Sequence, residues 1–140
     1  GEVRANCITN GVVVGQDILR TAGSPARVEI SVENKAPLGS EWDDMAFVRA
    51  RVVDAHGVLV PNATKSIRFA VSRSGILVAT DNNNQTDHTP FASALRNAFA
   101  GRAVAMIRGA PNQDGTDISV TASSPGLKTG SVHIAAARRQ

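Results

Sequence analysis

Aromatic residues are scarce in this chain: no tyrosine, one tryptophan (Trp42) and four phenylalanines among 140 residues. A protein that reads single-stranded nucleic acid stacks bases on aromatic platforms beside a basic groove, and this chain has too few rings for that. Its positive charge is also thin. Fifteen Lys and Arg stand against twelve Asp and Glu, a net charge of +3. The basic residues are scattered singly, with one adjacent pair, Arg138-Arg139, so no nucleic-acid partner is expected. The single cysteine, Cys7, rules out an internal disulfide and reads as a filler near a chain end. His56, His88 and His133 have no metal-ligand spacing, so neither a metal site nor a cofactor is expected. There is no Gly-x-Ser-x-Gly elbow, P-loop or dinucleotide fingerprint. No apolar run approaches the roughly 18 residues of a membrane helix, so no membrane partner is expected.

What is present is alternation. Hydrophobic residues make up 42% and charged residues 19%, the composition of a chain that folds around a core. Val28, Ile30 and Val32 alternate with polar neighbours, as do Ile67, Phe69 and Val71. Ile118, Val120 and Ala122 do the same, followed by Val132, Ile134 and Ala136. Successive side chains of a strand point to opposite faces, so each run is a half-buried strand. Residues 46–54 form another, with Ala46, Val48, Ala50 and Val52 on one face. Residues 103–108 are apolar on both faces and belong at the centre of a sheet.

Turn chemistry separates these runs. Asn10-Gly11 is a hairpin signal, because both residues tolerate positive φ. The stretch Asp54-Ala55-His56-Gly57 turns, passes Val58-Leu59-Val60, turns again at Pro61 and feeds the strand at Ile67. Short strands at this spacing predict an all-β, immunoglobulin-like antiparallel β-sandwich preceded by a β-hairpin. Phe91, Leu95 and Phe99 stand at i, i+4 and i+8, a helical temptation. Lacking start and stop signals, residues 91–96 are expected as a strand or irregular crossing with one turn of helix.

A boundary falls near residues 20–25. Residues 1–22 read as the terminal hairpin of a preceding immunoglobulin-like domain or as strands added to the main one; residues 23–140 are the sandwich. A lone hairpin is marginal in water, so it needs a partner in either case. The chain starts at Gly1 in strand-like sequence with no signal peptide, and so reads as a piece of a larger protein.

At this point the residues resemble a family. Gly1-Glu2-Val3-Arg4-Ala5, Asn10-Gly11, Asp17 to Arg20 and Thr21-Ala22-Gly23-Ser24-Pro25-Ala26 resemble the end of an immunoglobulin-like domain in bacterial glycoside hydrolase family 2, the β-galactosidase-like enzymes. The remainder resembles their C-terminal immunoglobulin-like domain. The matching residues are 46–54 with Gly57 and Pro61, Phe69, Val78, Asp81-Asn82-Asn83-Asn84, Phe91, Phe99, 101–107, 119–122 and Pro125-Gly126-Leu127. Two loops depart from the family pattern, at Gly39 to Asp44 and at Asn82 to Gln85, so no role passes to them by resemblance. The resemblance implies a non-catalytic accessory module of a parent that hydrolyses terminal β-galactosides or related glycosides. It also implies a periplasmic or extracellular bacterial compartment, and neighbouring domains of the same polypeptide as partners. Such enzymes use two carboxylates on an upstream barrel, so no catalytic residue carries over to this chain.

The remaining candidates are polar loops. Glu41, Trp42, Asp43 and Asp44 offer carboxylates beside a flat apolar ring, the two things a sugar-binding loop uses. The plainer alternative is a solvated turn in which Asp44 caps backbone amides. Asp81, Asn82, Asn83, Asn84, Asp87 and His88 form the most polar run. Calcium ligation lacks its alternating Asp plan and bidentate Glu here, so a hydrogen-bonded loop over the end of the sandwich is expected. Asn62-Ala63-Thr64 formally matches a glycosylation acceptor and reads as coincidence. Two other functions compete with the accessory role: a carbohydrate-binding module built on residues 41–44, and an adhesion or spacer module of the invasin-like kind.

Overall fold

The computed structural model describes residues 1–33, 37–41, 43–111 and 115–137. Strands β1 (Glu2–Thr9) and β2 (Val12–Arg20) form a two-stranded antiparallel sheet of their own. Asn10 and Gly11 turn it with φ of 50° and 77°, the paired positive values that the sequence led us to expect. Eight further strands build two four-stranded sheets: β3 (Arg27–Val32), β4 (Ala46–Val53), β5 (Ser66–Val71), β6 (Gly75–Asp81), β7 (Leu95–Asn97), β8 (Arg102–Gly109), β9 (Ile118–Ser123) and β10 (Gly130–Ile134). One sheet runs β10-β9-β5-β7, the other β3-β4-β8-β6, and every strand pair is antiparallel. This is the immunoglobulin-like β-sandwich that the alternation predicts.

The core lies between the sheets. Val28, Val48 and Val52 face inward from one sheet with Ala105 and Ile107; Ile67, Phe69, Ile118 and Val120 meet them from the other. β8 is central, as its apolar run predicts, lying between β4 and β6. At one side the sheets come so close that a Cβ on Gly130, at the start of β10, would lie 2.4 Å from the Val28 carbonyl oxygen. A glycine is required there for β10 to run beside β3.

Residues 91–96 are the expected irregular crossing and strand: a turn at Phe91 and Ala92, closed by the Ser93 N–H on the Pro90 carbonyl, leads into β7. The spacing of Phe91, Leu95 and Phe99 is even, so it satisfies a strand face as well as a helix face. Leu95 on β7 is exposed, as are Phe91 before it and Phe99 after it, while Arg96 on the strand and Ala98 just past it are buried. Cys7 is exposed on β1, an edge strand of the two-stranded sheet, one of the two places, core or edge strand, open to a filler cysteine.

Candidate functional site

Three polar centres stand out in the structure, the first of them the loop of residues 41–44. Glu41 and Asp43 are exposed. Trp42 lies outside the described residues. Asp44 is half-buried, and its Oδ2 accepts the Gly39 N–H at 2.5 Å, while its own N–H donates to the Glu41 carbonyl at 3.2 Å. The Asp44 carboxylate thus holds its own turn closed.

The second centre, residues 80–97, is organised by a residue that sequence reasoning missed. Arg96 is 1% exposed, inward-facing on β7 opposite Ile67. Its Nε donates to Thr80 Oγ1 at 3.2 Å; Nη1 donates to the Thr89 carbonyl at 3.0 Å; Nη2 donates to the Thr80 and Pro90 carbonyls at 2.8 and 2.9 Å. Nη1 also pairs with Asp87 Oδ2 at 3.3 Å, so every N–H of the guanidinium has a partner. Asn82 donates from Nδ2 to Asp87 Oδ2 at 2.7 Å and to the Asn97 carbonyl at 2.9 Å. Asp81, Asn82, Asn84 and Asp87 each accept an N–H from a residue one or two places on, the Asx-turn habit of these residue types. The Asp87 carboxyl is held far below the ordinary carboxylate range, first by the Thr89 hydroxyl and N–H, then by Arg96 and Asn82. Beside the loop lies an open cleft of about 490 Å³ lined by Asn84, His88, Asn97 and Phe99. The only sequence sign of Arg96 was a charge at an inward strand position.

The third centre is the junction between hairpin and sandwich. Asp54 directly follows β4 and is 4% exposed. Its Oδ1 accepts the N–H groups of His56 and Val58, both at 2.9 Å, which closes the turn read from the sequence. Its Oδ2 accepts the Gly23 N–H at 2.8 Å. Gly23 is in the connector, three residues after β2. The Gly23, Val58 and His56 amides together hold the Asp54 carboxyl below its ordinary range. Further backbone bonds extend the seam. Ala26 N–H donates to the Val53 carbonyl at 2.8 Å, Lys128 N–H to Ala26 at 3.0 Å, and Val28 N–H to Lys128 at 2.9 Å. Arg27 Nη1 reaches the Asp54 and Ala55 carbonyls at 3.3 and 3.2 Å. Gly57 completes the turn with φ of 84°. Between the connector and residues 59–62 runs a groove of about 770 Å³.

The basic residues, single in sequence, gather in space. On the outward face of β3-β4-β8, Glu29 bridges Arg27 at 2.7 Å and Arg51 at 3.3 Å, and Glu33 pairs with Arg49 at 2.7 Å. Among the described residues no group of three His, Cys, Asp or Glu side chains could hold a metal ion, and no helix is long and apolar enough to cross a membrane. The three centres share one chemistry: each buried or half-buried carboxylate binds backbone amides or a buried guanidinium. That arrangement holds chain segments in place.

A two-sheet antiparallel sandwich whose polar centres fix its loops and a connector is an immunoglobulin-like domain. Residues 20–133 match the family model of the glycoside hydrolase family 2 C-terminal domain 5, and the chain belongs to that family. It is 30% identical to the β-galactosidase BoGH2A of Bacteroides ovatus over 138 residues, which are 97% of this chain and 16% of that protein. Among solved structures, a β-glycosidase from Bacteroides vulgatus superposes with a TM-score of 0.87 at 22% identity, over 96% of this chain and 17% of that one. A β-glucuronidase from glycoside hydrolase family 2 gives a TM-score of 0.81 at 20% identity, over 100% of this chain and 14% of that one. The chain therefore spans about a sixth of the length of the relatives it matches.

Proposed function

We propose that this domain is a non-catalytic accessory module at the C-terminal end of a glycoside hydrolase family 2 enzyme, where it holds neighbouring domains of the same polypeptide in register. The observation that carries the reading is the match of residues 20–133 to a C-terminal domain of that family. The side chains support it. Glycosidases need two carboxyls facing one bond, roughly 5–10 Å apart and free to act as acid, base or nucleophile. Here Asp44, Asp54 and Asp87 are each bound to backbone amides of their own loops or of the connector.

The parent enzyme, on this reading, cleaves terminal β-galactosides. The support is the 30% identity to a protein named a β-galactosidase. A solved relative is named a β-glucuronidase, so the test includes both substrates. The purified 140-residue chain should leave p-nitrophenyl β-galactoside and β-glucuronide intact, while the full-length parent hydrolyses the galactoside. Turnover by the isolated chain at enzyme-like rates would sink the accessory role. A parent that cleaves only the glucuronide would sink the galactoside assignment and keep the accessory role.

A further inference from the structure

The carboxylates of the second centre are spent, but the cleft beside them keeps donors that nothing uses. This cleft, of about 490 Å³, lies between two walls. One wall is the loop after β6. Asn84 is half-buried there, and its Oδ1 accepts both the N–H and the hydroxyl of Thr86, at 3.1 and 2.9 Å. Those bonds fix the amide, and among the described residues its Nδ2 donates to nothing. The other wall is the end of β7 and the turn into β8. Asn97 is exposed, and its Oδ1 accepts the Ser66 hydroxyl at 2.6 Å, so its Nδ2 is unspent as well. The His88 ring has no partner among the described residues. Phe99 stands beside these groups with 45% of its surface exposed.

Both walls are held in place. Phe99 and Arg102 exchange backbone bonds at 2.9 and 3.0 Å across Ala100 and Gly101, whose φ are 49° and 73°. Paired left-handed residues of this kind make the tightest strand connection. In the loop, Asn83 has φ of 60°. Among the described residues, two of the three non-glycine residues with positive φ therefore adjoin this one cleft. Backbone strain collects at ligand clamps, where it keeps a site preformed. Arg96 ties the loop to β7 through the Thr89 carbonyl and Asp87.

We propose that this cleft binds a neutral pyranose unit of a glycan, with the C–H face of the sugar on the Phe99 ring and its hydroxyls on Asn84, Asn97 and His88. The chemistry of the lining selects this ligand. A metal ion finds no free carboxylate, because Asp87 is taken by Arg96, Asn82 and Thr89. An anion finds no Lys or Arg along the lining. A purely apolar ligand would leave three sets of polar atoms idle and desolvated. A pyranose offers a flat apolar face and a rim of hydroxyls, which uses the ring and the amides together. The volume falls within the usual range of small-ligand sites, roughly 300–1,000 Å³. The site is separate from the loop of residues 41–44, the sugar-binding candidate read from the sequence.

The proposal does not rest on the accessory-module reading, and its test reads binding without hydrolysis. In the isotope-labelled 140-residue chain, methyl β-D-galactopyranoside or methyl β-D-glucopyranoside at millimolar concentration should saturably shift the side-chain amides of Asn84 and Asn97 and the Phe99 N–H. Signals from β4 and β9 should stay still. D-glucuronate should bind more weakly than either glycoside. Phe99→Ala should weaken binding about tenfold or more. Asn84→Asp keeps the oxygen that Thr86 uses and removes the donor, and should weaken it about threefold or more. Phe47→Ala, exposed on the other sheet, should change nothing. No saturable shift with either glycoside, tighter binding of glucuronate, or full binding by both Phe99→Ala and Asn84→Asp would overturn the proposal. Shifts confined to residues 41–44 would do the same. In the full-length parent, His88 should react with diethyl pyrocarbonate as fast as in the isolated chain, read by peptide mass. A shielded His88 would assign the cleft to a neighbouring domain and overturn it too.

Discussion

Val28 and Val3 are both valines in antiparallel strands with alternating patterns, yet one is 2% exposed and the other 67%. The difference lies outside the strands. β3 pairs with β4 and faces a second sheet across a core; β1 pairs with β2, and among the described residues no second sheet covers them. Local pattern thus decides that a segment is a strand and which of its faces is apolar, but the partner sheet decides whether that face is stable in water. Between the two regions lies Asp54, whose carboxylate binds the turn of one region and the connector to the other.

That contrast can be broken by substitution. Phe69→Ala empties a core site that is 2% exposed and should cost about 3–5 kcal/mol by urea unfolding. Val3→Ala in the same chain should stay within about 0.5 kcal/mol, because nothing packs on it. Equal costs would erase the distinction. Arg96→Met should cost about 3–5 kcal/mol, since it leaves Asp87 and four oxygen acceptors without their donor. A loss confined to a few tenths would show the guanidinium to be dispensable. Gly101→Ala should cost about 1–2 kcal/mol for left-handed backbone alone. Its φ is 73° and the new Cβ would meet the Val60 carbonyl oxygen at 2.4 Å, so the measured loss should exceed that figure. Asp54→Asn should be milder overall and local in effect: faster amide exchange at Gly23, His56 and Val58, with the core unchanged.

Acid gives the smallest and broadest effect. Asp54 and Asp87 both have carboxyls held below their unfolded value of about 3.9. Their contribution is complete above that value and is lost as pH falls through the lower folded one. The melting temperature should therefore vary little with these groups above about pH 5 and decline below about pH 4. In Asp87→Asn the decline should be shallower. An unchanged acid slope would remove Asp87 from the account.

Most of the sandwich was legible because period-two runs are redundant: β3, β5 and β9 each place three apolar residues on one face, β4 places four, and β10 places Val132 and Ile134. β6 was not read as a strand, since Ile76-Leu77-Val78-Ala79 is apolar throughout and carries a bulge between Leu77 and Ala79 that breaks alternation. The spacing of Phe91, Leu95 and Phe99 belongs to both periods, and the lack of start and stop signals decided for the strand that Leu95–Asn97 forms. The polar centres were legible in half. The Asp54 turn was visible, since its partners His56 and Val58 are neighbours, but Gly23 lies 31 residues upstream and only the fold brings it there. Arg96 was unreadable for the same reason, as its partners Thr80, Thr89 and Pro90 are gathered by two loops.

The central claim is that this chain contains one sandwich with its own core and one hairpin whose large apolar side chains are exposed in it. Residue-resolved amide exchange measures it directly, on the isolated 140-residue chain and on the full-length parent. Residues 27–134 should be protected in both, while residues 2–20 exchange freely in the isolated chain and become protected in the parent. Hairpin amides as protected as the core in the isolated chain, or unprotected in both, would contradict the account.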